Sequence, residues 1–186
     1  TDMTPETWKQ KIEMQRSEKN QYFASHPQSP LPWKDRTEFS GLAYYPPDEA
    51  YRFELRLHEY EEAQSIEIAD TEGNQRAFWQ MGEFQFEIGD EECVLRAYRS
   101  DSHNEGFFLP FKDKTNGTET YDAGRYIDLD AGNHLTADSV WVVDFNQAYN
   151  PWCAYNKSFA CPFVPVENHL TVAVPAGEKK YPLRNR

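Results

Sequence analysis

At 186 residues and 21.8 kDa the chain suits one main hydrophobic core with at most a helical appendage, because chains divide into separate domains only at greater length. A hydrophobic share of 39%, with five Trp, eleven Tyr and twelve Phe, excludes wholesale disorder despite a mean hydropathy of -0.85. Nineteen bases against 31 acids give a charge of -12 with no basic cluster, which argues against a nucleic-acid partner and fits solubility or adaptation to salt.

Thr4-Pro5-Glu6 has the chemistry of a helix start: a hydroxyl cap, a ring preset for the first turn and an acid at the positive dipole end. Trp8, Ile12, Gln15, Lys19 and Phe23 follow at helical spacing, predicting a helix to about Phe23 that packs on, or clasps, the rest of the chain. His26-Pro27 and Ser29-Pro30-Leu31-Pro32 end it, since proline removes a donor and extends its predecessor. Residues 1–32 are thus expected to form an N-terminal helix with a proline-rich connector, and 33–186 a single antiparallel β-domain.

From Phe39 onward the period is two. Tyr51-Arg52-Phe53-Glu54-Leu55-Arg56-Leu57-His58 alternates apolar and polar residues, the pattern of a half-buried strand. Ile66 and Ile68 begin another, and Asp70-Thr71-Glu72-Gly73-Asn74 has turn residues. Phe84, Phe86 and Ile88 alternate ahead of Gly89-Asp90, predicting a hairpin into a strand over 93–98. Further strands are expected over 106–111, 120–129 with an interruption at Gly124, 139–145 and 170–174. The fold expected is mainly β: an antiparallel meander of about nine or ten strands, closed as a bent barrel or packed as a two-sheet sandwich.

Parity places unusual groups indoors. Arg125 shares a strand face with Ile127 and Leu129, whereas Tyr126 and Asp128 point the other way. Asp144 and Asn146 align with Val140 and Val142 on a strand that is apolar on both faces. A guanidinium keeps its charge at ordinary pH, so an enclosed Arg125 needs oxygen partners, and Asp144 and Asp128 are the candidates. A structural ion pair that fixes strand register and a polar site beside a ligand cavity both satisfy that need. The loop 113–121 reads as a tight turn and has no phosphate-loop order.

The stretch Asp144-Phe145-Asn146-Gln147-Ala148-Tyr149-Asn150-Pro151-Trp152-Cys153-Ala154-Tyr155, continued by Cys161-Pro162-Phe163-Val164-Pro165-Val166-Glu167-Asn168, is the most specific of the chain. With Phe111-Lys112-Asp113, Gly124-Arg125-Tyr126 and Ala176-Gly177-Glu178-Lys179 it resembles the domain of unknown function 1684 family. That resemblance implies a single domain over most of the chain and transfers no catalytic residue or mechanism.

Cys153 and Cys161 leave four readings open: a disulfide across a short loop, two packed thiols, metal ligation completed by Cys93, His169 or carboxylates, and a nucleophilic thiol. No metal motif is present among them or among His26, His58, His103 and His134. No cofactor is named by any motif. A run of about 18 apolar residues is absent, so no membrane-spanning helix is expected, and residues 1–20 lack the apolar centre of a secretory leader, which makes a cytoplasmic location the expectation.

Three functions follow. The first is a small-ligand-binding β-domain with a polar pocket under the 146–168 loop, using Arg125, Asp128, Asp144, Asn146, Tyr149, Asn150, Glu167 and Asn168 for a small-molecule ligand. The second is a thiol- or metal-dependent enzyme built on Cys153 and Cys161. The third is a structural or protein-interaction module whose helix and aromatic surface join another subunit, such as a second copy of the chain.

Overall fold

The computed structural model describes residues 3–100 and 106–182, so His103 lies outside the described residues. Helix α1 runs Pro5–Ser25, with the Thr4 hydroxyl accepting from the Thr7 N–H at 3.2 Å. It ends at His26, whose extended backbone is imposed by Pro27. Trp8, Ile12 and Phe23 are its buried residues. A single helical turn, Trp33–Arg36, follows the proline connector.

Seven strands are present among the described residues: β1 Arg52–Leu55, β2 His58–Ala69, β3 Gln75–Ile88, β4 Glu91–Ser100, β5 Gly106–Phe111, β6 Arg125–Asp130 and β7 Trp141–Asp144. β2 to β6 form a five-stranded antiparallel meander in chain order, and β1 pairs antiparallel with β7 as a second, two-stranded sheet. The two sheets are sandwich-like, and no barrel closes among the described residues. Between them lies the main core, with Phe84, Leu95, Leu109, Phe111 and Ile127 from the meander against Val143 and Phe145.

Two expectations are corrected. The alternation of 51–58 is one sequence pattern but two strands: β1 stops at Leu55 to pair with β7, and β2 starts at His58 to pair with β3. Alternation reports which side chains point inward, not which neighbour takes the backbone hydrogen bonds. The segment 170–174 is irregular although Leu170 and Val174 are buried on one parity: Leu170 and Val172 bond to the main chain of Lys112 and Lys114, and Val174 to side chains described below. With 120–124 also irregular, the count falls to seven.

A bulge explains how one strand feeds two cores. Pairing of β3 with β4 slips between Gln80 and Gly82, so even-numbered residues on its two sides face opposite ways. Phe84 and Phe86 enter the main core, whereas Phe78 joins Ile68 and Tyr98 in a separate cluster. Gly82 is required there, since a Cβ would lie 2.5 Å from the His58 carbonyl oxygen of β2.

The β2–β3 turn is held by Asp70, which is only 3% exposed and accepts from the N–H groups of Glu72 and Asn74 at 3.0 Å and from Arg76 Nε at 3.2 Å. Burial would raise its carboxyl, but those N–H groups and the guanidinium outweigh it and hold the pKa below the usual carboxylate range. A folded value below the unfolded one of about 3.9 adds stability above that pH, and the contribution is lost as pH falls through the folded value. Urea unfolding from about pH 5 to pH 2 is therefore expected to show Asp70→Asn less stable at the upper end and converging on the parent protein at the lower. A gap that stays constant with pH would contradict the assignment.

Candidate functional site

Arg125 sits at the start of β6 on the same inner face as Ile127 and Leu129, fully enclosed. Its partners are not Asp144 or Asp128. NH2 lies 3.5 Å from Asp113 Oδ1 and donates to the Val174 carbonyl at 2.9 Å, while NH1 donates to the carbonyls of Ala176 and Glu178. The guanidinium thus supplies side-chain donors to three main-chain carbonyls of the segment 174–178, whose backbone bonds to the rest of the main chain go to Tyr45 and Ala148. Asp113 also accepts from the Val174 N–H at 2.6 Å and from the Thr115 hydroxyl at 2.9 Å, so the tight turn 115–120 serves the buried pair.

Asp144, at the end of β7, is buried because α1 covers that face of the strand. Trp8 Nε1 donates to its Oδ2 at 2.8 Å, and the Asn146 backbone and side-chain amides donate to Oδ1 at 2.9 and 2.8 Å. Asn146 in turn exchanges two hydrogen bonds with the Asp48 backbone, fixing the chain ahead of β1. Asp144 and Arg125 are both indoors with separate partners, and the Arg125 Nε is left without a hydrogen-bond partner among the described residues.

The other predicted residues divide by environment. Asn168 is a backbone surrogate: its Oδ1 accepts from the Arg96 N–H at 2.8 Å and its Nδ2 donates to the carbonyls of Arg96 and Pro110. It stitches β4 to β5 where the direct register is reduced to Tyr98 against Phe108. Asn150 is also buried and donates to the Lys179 carbonyl at 2.9 Å. Asp128 and Glu167 are exposed, Asp128 accepting from the Tyr149 hydroxyl. Tyr149 extends the free edge of β6 through two backbone hydrogen bonds with Tyr126.

Cys153 and Cys161 are buried thiols, and the Cys153 N–H donates to Cys161 Sγ at 3.3 Å. Contact with the Cys153 side chain and burial push the Cys161 thiol far up, the reverse of what a nucleophile needs. Among the described residues no group of three or more His, Cys, Asp or Glu side chains converges as metal ligands.

The sites that sequence reasoning missed are on α1 and near the C-terminus. A groove runs between α1 and the turn Phe145–Gln147. One cleft, about 250 Å³, is lined by Arg16, Lys19, Tyr44, Asn146 and Tyr149 among others. The adjoining cleft, about 300 Å³, reaches Trp8, Arg52 and Asp144, and the two share Ile12, Gln15, His134 and Gln147. The groove therefore adjoins Asp144, Asn146 and Tyr149 of the predicted set.

Glu178 anchors the Lys19 end. It is fully buried, and its Oε2 accepts from Lys19 Nζ at 2.9 Å and the Asn150 N–H at 3.1 Å while Oε1 accepts from the Tyr155 hydroxyl. Lys19 Nζ also lies 5.3 Å from the Tyr149 ring centre. Arg16 stacks over the Tyr44 ring at 4.5 Å and donates from NH1 to the Tyr45 carbonyl and from NH2 to the Asn146 carbonyl. Its Nε and the Tyr44 hydroxyl are buried without a hydrogen-bond partner among the described residues, and no carboxylate there is within ion-pair distance of Arg16. Burial, followed by the charge of Glu178, drives the Tyr44 phenol well above its ordinary range, so it stays protonated as a donor. The signal available in the sequence was charge on the helix stripe: Arg16 and Lys19 fall in helical register with Ile12 and Phe23.

The profile of the family described as "Protein of unknown function (DUF1684)" matches residues 37–179. The chain belongs to this family. The matched stretch carries β1 to β7, Arg125, Asp113 and Glu178, whereas Arg16 and Lys19 precede it. The chain is similar to an uncharacterized protein of Haloarcula marismortui solved by solution NMR, with 36% identity, a TM-score of 0.71, and coverage of 94% of this chain and 95% of that one. No curated protein matches the chain. Among the described residues no helix of this DUF1684 member is long and apolar enough to cross a membrane.

Proposed function

We propose that this DUF1684 protein is a binding domain for a small organic carboxylate, held in the groove beneath α1 with its anionic head at Arg16. The observation that carries the reading is the condition of that guanidinium: partly buried, bonded only to neutral carbonyls, with an unused Nε beside an unused phenol. A desolvated cation without a close counter-ion, facing a concave site, favours an anion there. Ile12, Ala148 and the rings of Tyr44 and Tyr149 line the same cleft and suit an apolar body behind the carboxylate. Lys19 contributes less, since Glu178 already neutralises it.

Thermal unfolding with benzoate, phenylacetate or acetate, each against chloride at matched ionic strength, tests the reading. Aromatic carboxylates are expected to raise the melting temperature in proportion to the logarithm of concentration, by about 5–10 °C at a hundredfold excess over Kd. Benzamide, lacking the charge, is expected to do nothing, and Arg16→Gln to lose the response to benzoate. Equal responses in the parent protein and Arg16→Gln, or none in either, would reject it.

A further inference from the structure

The two adjacent sulfurs take no part in the groove, and they have a chemistry of their own. Cys153 and Cys161 bracket a loop whose centre, Lys157 and Ser158, is exposed. Its far end is pinned to the β2–β3 turn: the Thr71 N–H donates to the Cys161 carbonyl, the Cys161 N–H to the Thr71 hydroxyl, and Arg76 to the Ala160 carbonyl. Its near end is pinned by the Tyr155 hydroxyl on Glu178. Between these anchors the two thiols meet, with the Cys153 N–H on Cys161 Sγ at 3.3 Å, the two side chains in hydrogen-bonding contact, and the Tyr121 hydroxyl 3.7 Å from Cys153 Sγ. Adding the intervening bond lengths places the α-carbons no more than about 8 Å apart, so bridging needs at most a backbone adjustment of about 1 Å. The third cysteine, Cys93, belongs to the main core on β4.

We propose that Cys153 and Cys161 are a reversible dithiol–disulfide couple, oxidised by a low-molecular-weight disulfide through two successive exchanges. In the first, one protein thiol gives up its proton and attacks a sulfur of the small disulfide, forming a mixed disulfide and releasing one small thiol. In the second, the neighbouring cysteine gives up its proton and attacks the protein sulfur of that mixed disulfide, forming the intramolecular bond and releasing the second small thiol. The protein loses two electrons and two protons, and both appear on the two small thiols. This inference is independent of the groove. Because the attacking species is the thiolate and Cys161 is held protonated by Cys153 and by burial, exchange is slow at neutral pH and accelerates towards alkaline pH, on the order of tenfold per pH unit.

The test exposes the folded protein to oxidised glutathione, alkylates free thiols after unfolding, and maps peptides by mass. The expected result is joint loss of Cys153 and Cys161 from the alkylated pool, a linked 153–161 peptide, an alkylated Cys93, and recovery with dithiothreitol. The bridged form is expected to melt about 5–10 °C higher, because closing a short loop restricts the unfolded chain. Cys93→Ser is expected to behave as the parent protein and Cys161→Ser to form no intramolecular bridge. Three unmodified thiols after prolonged oxidation, a stable mixed disulfide in the parent protein, a bridge to Cys93 or a link between two chains would each overturn the proposal.

Discussion

Replacing Arg125 by Met is expected to cost about 3–5 kcal/mol, a large part of the total stability of a domain of this size. The guanidinium and Asp113 are both fully enclosed, and removing the cation leaves the carboxylate without it while the carbonyls of Ala176 and Glu178 lose the guanidinium as donor and that of Val174 keeps only the Ala176 N–H. Burial lowers the arginine's pKa and the charges of Asp113, Tyr45 and Glu178 oppose that, yet a guanidinium stays charged at ordinary pH, so the pair cannot relax by neutralising on the basic side. The companion experiment is the double variant Arg125→Met with Asp113→Leu. Removing both charges is expected to recover part of the loss, because the stranded carboxylate is the larger penalty. Urea unfolding decides it: a single-variant loss under about 1 kcal/mol, or a double variant weaker than the sum of its parts, would refute the pair's role.

Glu178→Ala is expected to be the second most damaging change, at about 2–4 kcal/mol. The carboxylate gathers Lys19 from α1, the Asn150 N–H from the long loop and the Tyr155 hydroxyl, so one truncation strands three donors from separate parts of the chain. Lys19→Met is expected to cost less, about 1–2 kcal/mol, because the lysine side chain is 26% exposed and solvent screens its share. The location of the damage matters more than its total. Hydrogen exchange is expected to show α1 amides losing protection in both variants while β3 and β4 keep theirs, since α1 is tied to the rest by side chains: Trp8 to Asp144, Arg16 to two carbonyls, Lys19 to Glu178. Uniform loss across the sheet would contradict a local anchor.

How much of this was legible beforehand follows from what sequence patterns encode. Thr4-Pro5-Glu6 located the start of α1 because capping is chemistry between near neighbours. The inward side of Arg125 was legible because strand parity is local. Its partner was not, because Asp113 comes from a turn before β6 and the remaining acceptors are main-chain carbonyls of 174–178, which carry no residue type to read. The same limit applies to the expected strand at 170–174: Leu170 and Val174 are buried on one parity, yet the backbone is held by scattered partners, Lys112 and Lys114 main chain at Leu170 and Val172, and Asp113 and Arg125 side chains at Val174. Asp144 looked like a partner for Arg125 since both lie on apolar faces, and the indole that actually meets it stands 136 residues away on α1. The groove was the least legible feature, being made where α1 crosses a turn 130 residues further on.

If an anion binds at Arg16, the side-chain Nε–H of that residue reports it. In a proton–nitrogen NMR titration with sodium benzoate against sodium chloride, the Arg16 Nε–H signal is expected to shift saturably, accompanied by the amides of Asn146 and Tyr149. An Arg16 signal that stays put, while exposed lysines and arginines drift linearly with salt, would contradict it.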